Sequence, residues 1–119
     1  MSVERYQLGQ AGEQAACEVL LQAGLQVLAR NWRWAGGELD IVARDGDTYV
    51  FVEVKLRRSA KAGAAAHAVT ALKQRRIVQA AQAWLKQNKL RERRMRFDVI
   101  SLDGADTRWL RGAFRPQAQ

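Results

Sequence analysis

The chain has one cysteine, Cys17, one histidine, His67, and one proline, Pro116, among its 119 residues. A lone cysteine excludes an intrachain disulfide and any multi-cysteine zinc site, and reads as a small core residue. A lone histidine excludes histidine-rich metal sites and weakens any catalytic dyad. No apolar run approaches bilayer length and no signal peptide precedes the first helix, so a cytoplasmic protein without membrane association is expected. Acids are also scarce. Twenty Lys and Arg face twelve Asp and Glu, a net charge of +8 and a sequence pI near 10.6. A surface of that sign attracts polyanions, nucleic acid first and acidic membrane second. The four tryptophans, Trp32, Trp34, Trp84 and Trp109, are scattered, so no aromatic cluster signals base stacking, and Trp84 is most simply core.

What the chain does have is concentrated in two short runs, Gly37-Glu38-Leu39-Asp40-Ile41-Val42 and Val50-Phe51-Val52-Glu53-Val54-Lys55. Both alternate, and the Asp45-Gly46 between them is a strong two-residue turn signal, so they are expected to form one antiparallel hairpin. With Arg44 facing Asp47 across the turn, Val42 faces Tyr49, Asp40 faces Phe51 and Glu38 faces Glu53. One side of the ribbon then carries Leu39, Ile41, Ala43, Val50, Val52 and Val54. Glu38, Asp40, Glu53 and Lys55 gather on the other side at one end. A one-residue slip would scatter these acids and mix valines with charges, so the apolar pattern protects the cluster. Opposed glutamates repel by roughly 0.2–1 kcal/mol per pair. A divalent cation such as Mg²⁺ or Mn²⁺ would turn that repulsion into ligation. The bland alternative is a solvated acidic face with Lys55 as its counter-ion.

Read end to end, the chain fits one α/β domain of 119 residues, long enough for a core of its own. Gly9 to Ala23 is expected to be helical, with Ala16, Val19, Leu20 and Ala23 as its stripe and Gly24 closing it. Glu13 projects along that stripe, either as a first-turn acid answering the helix dipole or as a site residue. Leu25 to Trp32 reads as a strand. Arg57, Arg58 and the residues to Gly63 form a basic loop placed for phosphate contact. A long helix is expected from about Ala65 to Lys86, with Val69, Ile77, Ala80, Ala81, Trp84 and Leu85 inward and Lys73 on the same side. Its Arg75 and Arg76 are candidates for tracking phosphates. Lys89 to Arg96 reads as a loop or frayed helix end, Phe97 to Leu102 as a strand, and Arg108 to Arg111 as an edge strand. The tail from about residue 115 is expected to be disordered. No repeat, low-complexity block or linker interrupts this order, which predicts a mixed sheet of about four to five strands flanked by helices.

Asp40 on one strand with Glu53-Val54-Lys55 on the next resembles the PD-(D/E)xK nuclease superfamily. More narrowly, Gly9-x-x-Gly12-Glu13, Asn31, Gly37-Glu38-Leu39-Asp40, Phe51-Val52-Glu53-Val54-Lys55-x-Arg57, Lys73 and Arg96-Phe97-Asp98-Val99 look like the YraN-type family of small bacterial proteins. The likeness runs from about Gly9 to Phe114. It is similar in outline to Holliday-junction resolvases, which place a glutamate on the first helix, where Glu13 stands. The superfamily's proline before the aspartate is replaced here by Leu39.

The resemblance implies a restriction-endonuclease-like core and metal-assisted phosphodiester hydrolysis, structure-selective on branched, flapped or junction DNA. Asp40, Glu53, Lys55 and Glu13 would be catalytic, and Asp40, Glu53 and Glu38 would hold Mg²⁺ or Mn²⁺ with the carbonyl of Val54. Lys55 would orient the attacking water or neutralise developing charge. Lys73, Arg57, Arg58, Arg75 and Arg76 would contact the nucleic acid, and a junction-cleaving enzyme would act as a homodimer. The rival from another class is a non-catalytic nucleic-acid-binding module of a repair, recombination or DNA-uptake complex. Pure binding needs no acids facing a polyanion, which argues against it.

Overall fold

Five strands in the order β1-β2-β3-β4-β5 form a single mixed sheet with one helix packed on each face. The computed structural model describes residues 3–57, 69–90, 93–103 and 106–116, with residues 3–10 and 57 described by their backbone alone. In chain order the elements are α1 (Val3–Gln22), β1 (Gln26–Trp34), β2 (Gly37–Asp45), β3 (Thr48–Arg57), α2 (Ala71–Gln87), β4 (Arg94–Asp103) and β5 (Asp106–Phe114). β1, β2 and β3 are antiparallel neighbours, β3 and β4 run parallel, and β5 returns antiparallel along the edge. The parallel pair requires a crossover, and α2 lies within it.

Because both faces are covered, the two helices make two cores. Ala16, Cys17 and Leu20 of α1 pack on Ile41, Ala43, Val50, Val52, Ile100 and Leu102. On the other face Ile77, Ala80, Ala81, Trp84 and Leu85 of α2 meet Val42, Tyr49, Phe51, Phe97 and Val99. Trp84 lies against Tyr49 and Phe51, with ring centroids 6.0 and 6.2 Å away, so it is core as its spacing predicts. Truncating an aromatic so enclosed costs roughly 3–5 kcal/mol.

Several boundaries differ from expectation. α1 extends back to Val3 through Gly9 and Gly12. Where the long helix was expected from Ala65, α2 begins after Thr70, whose extended backbone and Oγ1, accepting from the Lys73 N–H at 3.2 Å, make it the N-cap. Val69 is buried as expected, but before the helix rather than on it. Residues 65–68, with His67, lie outside the described residues, as do Arg58 and the loop to Gly63. Arg94 and Arg96 belong to β4 rather than to a loop, and β5 is longer than Arg108–Arg111 at both ends. Residues 117–119 of the expected disordered tail lie outside the description too. No described helix is long and apolar enough to cross a membrane.

The hairpin register is shifted by two. Asp45 pairs with Thr48, Arg44 with Tyr49 and Val42 with Phe51, so the turn is Gly46-Asp47 rather than Asp45-Gly46. Gly46 has φ +60°, and glycine at the first central position is what a type II′ hairpin turn requires.

One charged cluster is structural. Asp98 is fully buried at 0% exposure and accepts four hydrogen bonds. They come from Nε and NH2 of Arg96 at 2.9 and 3.0 Å, Trp109 Nε1 at 2.9 Å and the Gly112 N–H at 2.9 Å. Arg96 also reaches Asp45 at 3.1 Å, so one guanidinium ties the hairpin turn to β4. Its affinity for the proton is raised by the Asp98 hydrogen bond above all, against the opposing effect of burial.

Candidate active site

The β2–β3 ladder runs down from the turn and stops at Ile41 and Val52. Continued by two residues, it would set Asp40 opposite Glu53 and pair Val54 with Leu39. Instead the Val54 N–H donates to Asp40 Oδ2 at 2.9 Å, so a carboxylate takes the bond that a backbone carbonyl would otherwise accept. The face alternation of β2 breaks at the same point. Leu39 joins the core under α2 while Ile41, two residues on, joins the core under α1. Asp40 stands at this break and is directed along the sheet toward β3. The expected repulsion between Glu38 and Glu53 is replaced by one between Asp40 and Glu53, since Glu38 would face Lys55 in this register.

Asp40 therefore carries an electrostatic load. Burial pushes its carboxyl up to about 7 from 3.8, with Glu53 the next cause and Glu13 and Glu38 adding, while the Val54 N–H opposes them. Glu53 is only 7% exposed. Its Oε1 lies 2.8 Å from Nζ of Lys73, which α2 brings over the sheet. Burial would lower Lys73's hold on its proton, but the hydrogen bond and charge of Glu53, with Asp40 and Glu38 behind it, raise it overall.

These groups line an open cleft of about 380 Å³ between the β1–β2 turn and the first turns of α2. Gly37, Glu38, Asp40 and Glu53 line it from the sheet, Lys73 and Arg76 from α2. Gly37 sets the width, because a Cβ there would come within 3.0 Å of the Arg76 carbonyl oxygen and push the helix away.

The predicted residues divide into those the fold gathers and those it does not. Asp40, Glu53, Glu38, Lys73 and Arg76 share the cleft. Glu38 sits at the rim, 4.0 Å from Nε of Arg33. Lys55 follows Glu53 by two on the same side of β3 and is half-buried. Arg75 is exposed on α2. Arg57 ends β3, its side chain outside the description, and Arg58 is outside altogether.

Glu13 lies three turns into α1, which removes the first-turn dipole reading. It accepts from Asn31 Nδ2 at 2.8 Å and lies 3.7 Å from NH2 of Arg30, so it clamps β1 while adding negative charge near Asp40. Arg30 carries no sequence signal for this role. Asn31 has one, since φ +53° is tolerated better by asparagine than by most side chains.

The donor set bears on which metal would suit the site. Among the described residues no three acidic, histidine or cysteine side chains form a ready-made cage. That is a poor match to tetrahedral zinc, which takes three or four such ligands. It fits Mg²⁺ or Mn²⁺ better, since a small hard ion is held by one or two carboxylates and keeps several waters. Asp40 and Glu53 each have a second oxygen beyond the one bonded to Val54 or Lys73.

Comparison with known sequences finds relatives along most of the chain. The pattern defining the uncharacterised protein family UPF0102 matches residues 12–102, which span the whole cleft. A UPF0102 protein of Alkalilimnicola ehrlichii is 44% identical over 107 residues, covering 89% of this chain and 85% of that protein. One from Klebsiella pneumoniae is 46% identical over 110 residues, covering 91% and 86%. Another from Rhodococcus opacus is 46% identical over 95 residues, 80% of each chain.

Proposed function

The chain belongs to the UPF0102 family, the YraN-type family, and from the geometry of its cleft we propose that it is a metal-dependent nuclease that hydrolyses phosphodiester bonds in DNA. The observation that carries this reading is the placement of Asp40. A half-buried carboxylate, Asp40, interrupts a sheet ladder beside the buried carboxylate of Glu53, in a cleft that Lys73 and Arg76 also line. Such an arrangement works against stability, and perturbed groups of this kind concentrate at functional sites.

Asp40 and Glu53 would hold Mg²⁺ or Mn²⁺, with Glu38 at the rim. A bound divalent ion supplies a water of lowered pKa and charge for the phosphoryl oxygens. The chain's own residues do the rest. Lys73 neutralises Glu53 in the structure and, with Arg76, faces a phosphate entering the cleft. Lys55 donates from the side of β3 that carries Glu53, toward a developing negative charge. The Val54 N–H fixes one oxygen of Asp40 and so orients the other. Glu13 holds β1 in place and keeps negative charge near Asp40.

One observation favours a second reading. Lys73 already supplies the charge Glu53 needs, as a nucleic-acid-binding module without catalysis would require. A cleavage assay with Mn²⁺ on branched, flapped, duplex and single-stranded DNA separates the two. The nuclease reading expects cutting by wild type and loss of it in Asp40→Asn and Glu53→Ala, with DNA still bound. Lys55→Ala should lower the rate by about 10²–10³ while affinity holds. Wild-type inactivity on every substrate, with DNA still bound, would favour the binding module instead.

A further inference from the structure

Trp34 ends β1 at the rim of the molecule with its side chain partly in solvent, 43% exposed. It lines a second, shallower groove of about 770 Å³ together with Gln79, Gln82 and Lys86 of α2. This groove adjoins the acidic cleft. Gly36 is the shared wall: it lines the cleft, and a Cβ on it would lie 3.2 Å from the Trp34 ring and 3.6 Å from the Gln79 amide oxygen.

The helix joins the two as well. Arg76, Gln79, Ala83 and Lys86 are spaced by three, four and three, so they form one stripe along α2. Arg76 lies in the cleft and Lys86 in the groove. The stripe covers about 15 Å of helix. α2 has four basic residues, Lys73, Arg75, Arg76 and Lys86, and not one acid.

We propose that Trp34 is a stacking platform for an unpaired base, and that the single-stranded segment carrying this base follows the α2 stripe into the acidic cleft. The proposal rests on the reading of the cleft as a nucleic-acid site and adds the class of substrate: DNA with a single-stranded portion. An indole face stacks on any base, but only on one freed from its duplex neighbours. Gln79 and Gln82 present amides that both donate and accept, which suits base edges of any identity. Lys86 and Arg76 supply phosphate contacts at either end. The glutamines and Lys86 of the lining, on a helix whose charged residues are all basic, match a polyanion.

The test measures binding alone, in EDTA, by fluorescence anisotropy on the full chain. Wild type, Trp34→Ala and Trp34→Phe are titrated against a labelled short oligothymidine and a labelled blunt duplex. Trp34→Ala should bind the single strand about tenfold more weakly, with duplex affinity unchanged, and Trp34→Phe should recover most of the loss. The proposal is overturned if Trp34→Ala binds the single strand like wild type, if both ligands weaken equally, or if phenylalanine rescues nothing. The duplex arm also reports on folding. No cleavage or metal enters the measurement, so a catalytically inactive wild type would sink the nuclease reading and leave this result standing. Loss of single-strand discrimination would do the reverse.

Discussion

Lys73 Nζ and Glu53 Oε1 are 2.8 Å apart, an ion pair that joins α2 to the acidic end of the sheet. Glu53 is buried, whereas about half of the Lys73 side chain is in solvent. The pair is therefore asymmetric: removing the lysine leaves a carboxylate in a low-dielectric site, while removing the glutamate leaves a lysine that water can solvate.

Lys73→Met should consequently destabilise the protein without divalent ions by about 1–2 kcal/mol, at the low end for a buried pair because the ammonium is half solvated. Adding Mn²⁺ should recover more stability in the variant than in wild type, since the ion then replaces the missing charge. Urea unfolding of both proteins, with EDTA and with excess Mn²⁺, checks this. An equal Mn²⁺ effect in the two would show that Glu53 is not a ligand.

Asp40 makes a pH prediction with a definite sign. Its carboxyl titrates near 7 when folded against 3.8 ordinarily, so between those values the folded state holds a proton that the unfolded state has released. Stability from this group is full below about pH 4, falls as pH rises toward 7, and is constant above. The total is bounded at about 4 kcal/mol, at about 1.4 kcal/mol per pH unit. Asp40→Asn cannot ionise, yet its amide oxygen can still accept from Val54. In EDTA it should melt higher than wild type at pH 8, with the difference vanishing toward pH 4. Melting curves across that range that stay parallel would refute the assignment.

How the site could be read from sequence follows from the same residues. The Asp45-Gly46 signal puts the turn one residue early and so shifts the register by two, yet Asp40 and Glu53 still share a face. Side chains alternate with period two, so an error of two preserves every face. What alternation could not reveal was the break at Asp40, because a carboxylate inserting into the ladder depends on where pairing ends. The start of α2 was missed for a comparable reason: the alanine-rich residues before Val69 favour helix locally, whereas the Thr70 cap is a single side chain–backbone contact. The inward position of Glu13 was legible, but its commitment to Arg30 and Asn31 required the packing of α1 on β1. Trp34 looked isolated because its neighbours Gln79 and Lys86 lie more than forty residues away in sequence.

Asp98 should prove essential to folding and not to chemistry. It is fully buried and holds Arg96, Trp109 and Gly112; it pairs with Val52, the residue before Glu53, but does not itself line the cleft. Asp98→Ala would leave the half-buried Arg96 guanidinium with Asp45 in place of two carboxylate partners, and two N–H groups without their acceptor. The expected loss is about 3–5 kcal/mol, read as a lower urea midpoint. Trp109, over which Arg111 lies at 4.0 Å, should report the change as a red-shifted emission on unfolding at lower denaturant. A midpoint within error of wild type would show that the network is dispensable.

Salt should control DNA affinity. The net charge is +8, and α2 presents four cations without an acid, of which Arg75 is exposed and Arg76 lines the cleft. Each phosphate neutralised contributes about 0.9 to the slope of log affinity against log salt on duplex DNA. If Lys73, Arg75, Arg76 and Lys86 all make contacts, the slope is about −3.6, a loss of roughly a hundredfold between 50 and 200 mM salt. Reversing Arg75 and Arg76 to glutamate should reduce the slope by about two and weaken unrelated sequences equally, because phosphate contacts carry no base information. Anisotropy titrations at several salt concentrations on two unrelated sequences measure both quantities. A slope unchanged by the double reversal would move the binding face away from α2, and a loss restricted to one sequence would mean that these arginines read bases.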